Sequence, residues 1–295
     1  MNRPFKTFHP FTCLIYLVGG FILVTLCQHP DFLIVDVIIL GLYIVYNDRG
    51  RYFKQWGWTT LVFFLFFFLM NPLFNHRGQH ILFYLGSNPI MLEAVIRGIM
   101  IALTLMALLF LTPIFNFLIP SDRFLFLFSR FLPSWALLIM LTLRFIPLFR
   151  HRLGEIESVQ RARGLSVHHG SLIARTQSAM RLVQILVTWS LEEAIQTADS
   201  MTARGYGLTK RTVYNPFRFQ IEDGVVLIIV IVLFILNLYG VWLGDSILSL
   251  TPVLETLRLQ GREWFYLGVN ALYFSIPLII DGKEGIVWRS LKRTS

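Results

Sequence analysis

Two arginines in the middle of the chain have the same immediate neighbours. The two triplets are Ala162, Arg163 and Gly164, and Ala203, Arg204 and Gly205. A planar guanidinium can hold a carboxylate through two parallel hydrogen bonds. Glycine suits the left-handed position just beyond a helix end, where a cation also favours the negative end of the helix dipole. One Arg-Gly is a common helix ending, but the repeated triplet predicts two helix tips that dock into grooves of partner proteins.

Other side chains with reactive or ligating chemistry are scattered. Asp36 lies inside an apolar run, where an ionisable group is costly, and we expect it to pair within the helix bundle or to reach the interface. Glu93 and Arg97 have the spacing of a structural pair on one helix face. His168 and His169 are adjacent on a loop and have no cysteine or carboxylate cluster beside them, so we expect solvated side chains. We predict no catalytic residue, no metal site and no cofactor.

The composition requires a lipid bilayer around these residues. The 295 residues are 55% hydrophobic and 15% charged, with 27 Phe and a mean hydropathy of +0.63. These values lie far from the globular norm and predict an integral membrane protein. The net charge of +9 fits basic cytoplasmic loops, so it does not imply nucleic acid binding. Cys13 and Cys27 would lie about 21 Å apart on one helix, too far for a disulfide.

Six apolar runs are candidate membrane spans. They cover residues 11–27, 32–46, 59–74, 89–118, 225–243 and 264–280. Lys and Arg are concentrated at both termini and in the loop around residue 50, so both termini are expected to be cytoplasmic. The fold class predicted is all-α, with five to six transmembrane helices plus a coupling region at the membrane interface and in the cytoplasm.

Residues 120–221 differ from the spans on either side. Two apolar pieces, at 124–132 and 135–143, are too short to span comfortably. We expect short helices, bounded by Pro120, Pro133 and Pro147, that lie at the membrane interface or are buried beneath other helices. Amphipathic helices are predicted from about residue 151 to 163 and from about 177 to 204. The segments are therefore 1–119, membrane helices; 120–221, interfacial and coupling helices; and 222–295, membrane helices with a basic tail.

The sequence resembles the transmembrane T component of energy-coupling factor transporters, importers of the ATP-binding-cassette class. The resemblance rests on QRARG at 160–164 and ADSMTARGYG at 198–207, with LRFIP at 143–147 and Pro133 upstream in the expected order. It extends to about Leu243. The further run at 264–280 departs from the usual pattern of this family, and residues 244–295 have no role that the resemblance supplies.

The resemblance implies partners rather than catalysis. The two triplets would contact two cytoplasmic ATPase subunits, and a membrane-embedded substrate-binding S subunit would sit on a greasy platform formed by Phe124, Phe126, Phe128, Phe131, Trp135, Leu138, Leu141 and Phe145. The chain lacks a GxxxxGK[ST] phosphate loop, so ATP would be handled by another chain. The implied location is a prokaryotic cell membrane, and the implied cargo is a vitamin, a vitamin precursor or a transition-metal ion such as cobalt or nickel.

Two other functions are weighed against a coupling subunit. A membrane enzyme acting on lipid or prenyl substrates would need catalytic groups that converge near one membrane face, and only Asp36 and the two adjacent histidines are candidates. A complete secondary transporter would normally have internal repeats or broken helices. We find no such symmetry.

Overall fold

The computed structural model describes residues 4–48, 50–75, 80–85, 88–129, 132–164, 171–208, 217–248, 259 and 261–294. Within these ranges the chain forms a short 3₁₀ helix, Phe5–Thr7, nine α-helices and one β-hairpin. The helices are α1 Pro10–Leu26, α2 Pro30–Asp48, α3 Arg51–Phe74, α4 Leu92–Leu118, α5 Ser121–Ser129, α6 Pro133–Ala162, α7 Leu172–Ala203, α8 Ile221–Leu243 and α9 Arg262–Thr294. The predicted all-α membrane fold is confirmed.

Each predicted span overlaps a helix. Five helices are long and apolar enough to cross a bilayer, namely α2, α3, α4, α8 and the part of α9 from Arg262 to Lys283. Helix α1 is apolar but has only 17 residues. The run at 89–118 begins as a strand, because residues 88–91 pair antiparallel with residues 81–85 before α4 starts. This hairpin was not predicted.

The chain divides into two compact units. Unit 1 contains residues 1–124 and 217–295, and unit 2 contains residues 125–216. The segment boundaries expected at 119/120 and 221/222 describe functional parts of the chain and stay a prediction.

Unit 1 has a continuous buried core, which includes Phe5, Tyr16, Phe32, Phe110 and Tyr273. Both cysteines are buried and free. Helices approach closely where glycine removes the side chain. A Cβ on Gly98 of α4 would lie 2.9 Å from the Phe68 carbonyl oxygen of α3, and one on Gly240 of α8 would lie 2.6 Å from the Tyr266 ring of α9. Small residues at contacts are the usual means of packing helices in lipid.

Helix α9 is bonded to the N-terminal helices through buried polar groups. The Asp281 carboxylate accepts hydrogen bonds from the Phe5 backbone N–H at 2.6 Å and from the Tyr43 hydroxyl at 3.1 Å. The Tyr273 hydroxyl donates to the Tyr16 carbonyl at 2.7 Å. The last predicted span is therefore an integral part of unit 1.

Helix α8 is joined to the start of the chain by the Asp223 carboxylate. One oxygen accepts from the His9 backbone N–H at 2.9 Å, and the other accepts from the Gln220 N–H at 2.8 Å. The second bond belongs to a capping box that begins α8. Burial lowers the pKa of His9, and the nearby Asp223 carboxylate partly opposes that shift.

The predicted pair of Glu93 and Arg97 is wrong. Glu93 is buried and accepts from the His80 backbone N–H at 3.2 Å, with His80 Nδ1 at 2.9 Å from the same carboxylate. The hairpin returns the chain to the start of α4, where the Leu92 N–H also bonds the His80 carbonyl. A partner supplied by this chain reversal could not be found from spacing along one helix.

Candidate functional site

Helix α6 forms one long rod and carries the first arginine triplet at its end. We expected separate helices on the two sides of Pro147, but α6 runs without a break from Pro133 to Ala162. The prediction of a boundary at Pro147 is wrong, because a proline removes one amide hydrogen and the rest of the ladder continues on both sides. The apolar piece at 135–143 and the amphipathic piece after 151 therefore belong to one helix. Helix α7 likewise begins at Leu172, about one turn before the predicted start.

Both rods end as the triplets predicted. Gly164 has φ +82° and Gly205 has φ +79°, the left-handed values that favour glycine. At the second tip the Tyr206 N–H bonds the Met201 carbonyl at 3.0 Å, and the Gly205 N–H bonds the Thr202 carbonyl at 2.9 Å. This pair of bonds is a complete Schellman motif. It stops the helix abruptly and leaves the preceding arginine on its last turn.

The two arginine side chains are exposed at these tips. Among the residues that the structure describes, neither the Arg163 nor the Arg204 guanidinium makes a hydrogen bond or an ion pair. Other arginines of α6 do form ion pairs within the helix, Arg152 with Glu155 at 2.6 Å and Arg161 with Glu157 at 3.0 Å. Five donors on each guanidinium are thus available to a partner's carboxylate or carbonyl groups.

The tips differ in the charge that surrounds them. Arg150, Arg152, Arg161 and Arg163 outnumber Glu155 and Glu157 over the last turns of α6. On the last turns of α7, Arg204 stands alone against Glu192, Glu193 and Asp199. The first tip therefore has a net positive surface and the second a net negative surface, although the terminal triplets are identical.

Helices α6 and α7 touch near their midpoints. The Phe149 ring lies edge-on to Trp189 with centroids 5.7 Å apart, and the Arg152 guanidinium lies 5.1 Å above the Trp189 ring. Phe145 stacks on Phe149 at 5.5 Å. At 1.5 Å per residue, each arginine tip lies about 21 to 23 Å along its helix from this contact. The two helix segments between this contact and the arginine tips, which we call the arms, therefore have nearly equal lengths.

A groove opens beside this contact, on the side of the first tip. Its volume is about 360 Å³, and Arg152, Glu155, Ile156, Val159, Gln160, Arg163, Ile185 and Trp189 line it. The Arg152 hydrogen bond holds the pKa of Glu155 below its usual range. Next to Arg163, the groove wall therefore carries the charged pair of Glu155 and Arg152, whose opposite charges balance each other.

Seven of the eight predicted platform residues lie on α5 and α6, and all seven are exposed or half-buried. Phe124, Phe128, Trp135 and Leu138 are exposed, with Trp135 at 63% and Leu138 at 57%. Phe126, Leu141 and Phe145 are half-buried. Phe131 lies outside the described residues, as do His168 and His169. Large apolar side chains on a helix surface need lipid or a partner to cover them.

An apolar stripe on α7 was not predicted from the sequence. Six exposed residues share one face of the helix, and they are Ile173, Met180, Val183, Val187, Leu191 and Ile195. The face that contains Leu182 and Trp189 lies on the other side. The i, i+3 and i+4 spacing of these residues is a signal in the sequence that could have identified the stripe.

Among the described residues there is no group of histidine, cysteine, aspartate and glutamate that could hold a metal ion. The groups available for recognition are guanidinium donors and apolar surface. Such a set of groups suits protein docking at a membrane.

Comparison with known proteins gives a consistent result. The sequence model of CbiQ, described as a cobalt transport protein, matches residues 1–214. The chain is 26% identical over 244 residues to the energy-coupling factor transporter transmembrane protein EcfT of Staphylococcus aureus strain 04-02981, an alignment that covers 77% of this chain and 91% of that protein. It is 32% identical over 221 residues to the EcfT protein of Bacillus selenitireducens, with 70% and 81% covered. Both arginine triplets lie inside the family match.

Proposed function

Because the chain belongs to the CbiQ family of cobalt transport proteins, we propose that it is the transmembrane coupling subunit of an energy-coupling factor importer. In this role it transmits the motion of two cytoplasmic ATPase subunits to a membrane-embedded substrate-binding subunit. The observation that carries the proposal is the pair of exposed arginine tips at the ends of two helices that touch near their midpoints.

Each tip presents chemistry suited to a groove on an ATPase. A guanidinium on a sharply capped helix end can enter a recess and bond a carboxylate through two donors. The flanking alanine and glycine of each triplet keep the tip narrow. Since the first tip is net positive and the second net negative, the two receiving surfaces should differ in charge beyond the carboxylate that each supplies.

The contact between α6 and α7 gives a route for mechanical coupling. When two bound ATPases close on ATP, tips held in their grooves move with them. Arms of about 21 to 23 Å on either side of the Phe149 and Trp189 contact would carry this displacement to the opposite halves of both helices. Those halves carry the exposed apolar side chains, including Trp135 and Leu138.

The apolar platform is the surface we assign to the substrate-binding subunit. Large Phe, Trp and Leu side chains on partly exposed helices can repack against a partner that reorients in the bilayer. The exposed apolar stripe of α7, from Ile173 to Ile195, is a second surface of the same chemistry. The cargo is selected by the substrate-binding subunit, so a vitamin and a transition-metal ion such as cobalt or nickel both fit the role of this chain.

The location that fits is the cell membrane of a prokaryote, with the 17-residue α1 as a sixth span and both termini in the cytoplasm. The cluster of Lys and Arg at the termini supports this orientation. Unit 2 carries the arginine tips, and the partners proposed for these tips are cytoplasmic ATPases. The family and the relatives are transport proteins, so the alternative of a lipid-modifying membrane enzyme is not supported.

A pull-down from membranes tests the proposal. Tagged wild type should bring down ATPase subunits, whereas Arg163→Glu with Arg204→Glu should lose them while the protein still inserts and still binds the substrate-binding subunit. Reversing a charge in a desolvated pair costs several kcal/mol, which corresponds to at least a hundredfold loss of affinity. Arg181→Glu is the matched control, because Arg181 is also exposed on α7 but lies 23 residues before Arg204. Retention of the ATPases by the double variant would refute the role of the tips.

A further inference from the structure

The helix bundle of unit 1 contains a carboxylate and an amide with complementary missing bonds. Asp36 of α2 and Asn270 of α9 are both 0% exposed. The Asn270 Nδ2 donates to Asp36 Oδ1 at 2.7 Å. The second oxygens of the two groups, Asp36 Oδ2 and Asn270 Oδ1, have no hydrogen-bond partner. Two buried acceptors are therefore unsatisfied on side chains that are already bonded to each other.

An ionised carboxylate is poorly supported at this position. Asp36 lies six residues inside α2, about 9 Å from its start, in a helix that crosses the bilayer. A single neutral amide does not balance a buried negative charge. The confirmed pairing within the bundle therefore leaves a deficit of one positive charge or one hydrogen-bond donor.

No cationic side chain in the described part of the chain meets that deficit. Tyr16 and Cys27 lie within electrostatic range of Asp36, and neither is a cation. The helices packed on α2 carry charged side chains that make no hydrogen bond or ion pair with Asp36: Arg51 and Lys54 of α3, Glu93 and Arg97 of α4, and Arg262, Glu263, Asp281 and Lys283 of α9.

We propose that Asp36 and Asn270 form a proton-binding site that joins α2 to α9. One proton from the solvent binds Asp36 Oδ2, and the O–H group that results donates a hydrogen bond to Asn270 Oδ1. The carboxyl and the amide then share two hydrogen bonds, N–H to Oδ1 and O–H to Oδ1 of the amide. The terminal torsions of Asp and Asn are soft, so small rotations suffice to close the second bond. One proton removes the charge and satisfies both free acceptors.

This arrangement stands apart from the other unsatisfied groups. The Asn237 amide, for example, donates to the Leu233 carbonyl of its own helix, and its free oxygen has no bonded neighbour that lacks a partner. At Asp36 and Asn270 alone, among the described residues, both members of a hydrogen-bonded side-chain pair have an unused acceptor. The site is also independent of the proposed function, since it lies in unit 1 and uses neither arginine tip.

The proposed site makes the folding equilibrium of the protein depend on pH. The native bundle holds one proton at neutral pH that a solvated aspartate would have released. The folding equilibrium constant should therefore fall by up to tenfold for each pH unit, until the native site itself loses its proton. Loss of the proton places a bare carboxylate between α2 and α9 and weakens their contact.

Infrared difference spectroscopy tests the site directly. The whole protein in lipid nanodiscs is measured at pH 7 in sodium-free buffer, and the Asp36→Asn spectrum is subtracted from the wild type. We expect the difference to contain a protonated carboxyl band. Asp31→Asn is the matched control, because Asp31 begins the same helix with a 41% exposed side chain and should remove a carboxylate band.

The melting temperature gives a second readout. Asp36→Asn should match the wild type at low pH and exceed it increasingly as the pH rises, because two amides can share two hydrogen bonds without binding a proton. If Asp36→Asn fails to fold, Asn270→Gln should shift the protonated band without removing it. A carboxylate band from Asp36 at pH 7, with or without a dependence on sodium, would overturn the proposal, as would an identical pH dependence of both proteins.

Discussion

The two units of this protein differ in how many side chains they bury. In unit 1 aspartates and asparagines are buried and bonded across helices, as Asp223, Asp281 and Asn270 show. In unit 2 few side chains are buried, and the two tip arginines make no side-chain hydrogen bond or ion pair with a described residue. Among its described residues only Ala136, Ser178 and Leu182 are buried. Unit 1 therefore has a buried core of its own, whereas the exposed apolar surface of unit 2 needs lipid or a partner to cover it.

The largest difference in stability is expected when one carboxylate is removed from each unit. Asp281→Ala leaves the Phe5 N–H and the Tyr43 hydroxyl without their acceptor in a buried site. Two lost hydrogen bonds to a charged group predict a destabilisation of about 3 to 5 kcal/mol. Asp199→Ala, on the exposed face of α7, should change stability by less than about 0.5 kcal/mol. Thermal unfolding in nanodiscs measures both, and equal effects would contradict the division of roles.

A pair of glycine substitutions should shift stability in opposite directions. The Cβ of Gly98→Ala would press on the Phe68 carbonyl oxygen between α4 and α3, so we expect a loss of about 1 to 3 kcal/mol. Gly154 is exposed in the middle of α6 with nothing within 4 Å of its added Cβ. Gly154→Ala should therefore stabilise α6 by up to about 1 kcal/mol, through helix propensity alone.

Thermal unfolding of both alanine variants compares how tightly the two units are packed at the substituted positions. If Gly154→Ala destabilised the protein as much as Gly98→Ala, α6 would be packed at that point and unit 2 would not be open there. Gly57, in α3, has only the Phe53 side chain near its added Cβ and serves as a control within unit 1.

The helix ends and exposed side chains of unit 2 were easier to predict from the sequence than the buried hydrogen bonds of unit 1. The arginine tips, the glycine caps and the exposed Phe, Trp and Leu were predictable because each depends on residues close together in the chain. The bonds of Asp281 to Phe5 and of Asn270 to Asp36 join residues more than 230 positions apart. Spacing along one helix cannot specify such partners, which is why residues 244–295 had no expected role and Glu93 was paired with the wrong residue.

Pro147 shows the other limit of local patterns. Prolines lie inside helices α3, α4, α6 and α9, and none of them ends its helix. In a long helix with many remaining hydrogen bonds, one missing donor is tolerated. Treating proline as a boundary divided α6 into two pieces and concealed that platform and tip belong to one rod.

A smaller effect is expected at the caps. Gly205→Ala places a side chain at φ +79°, which costs about 1 to 2 kcal/mol locally. The cost should fray the last turn of α7 and weaken ATPase capture, while the main unfolding transition of unit 1 stays unchanged. Pull-down and thermal unfolding on the same preparation separate the two effects. A change in the unit 1 transition without loss of capture would contradict the proposed role of the cap.

The smallest expected effect concerns the pair of Arg152 and Glu155. Arg152 lowers the pKa of Glu155, so any stability from the pair is present at neutral pH and is lost as the pH falls through that lowered pKa. Solvent screens both exposed side chains, and Glu155→Gln should therefore leave the unfolding temperature unchanged at pH 7 and at pH 4. In a ¹³C-labelled sample, Arg152→Ala should return the pKa of Glu155 towards its ordinary value. A large drop in unfolding temperature for Glu155→Gln would mean that the groove beside Arg163 holds unit 2 together, and the assignment of that groove wall to an open docking surface would fail.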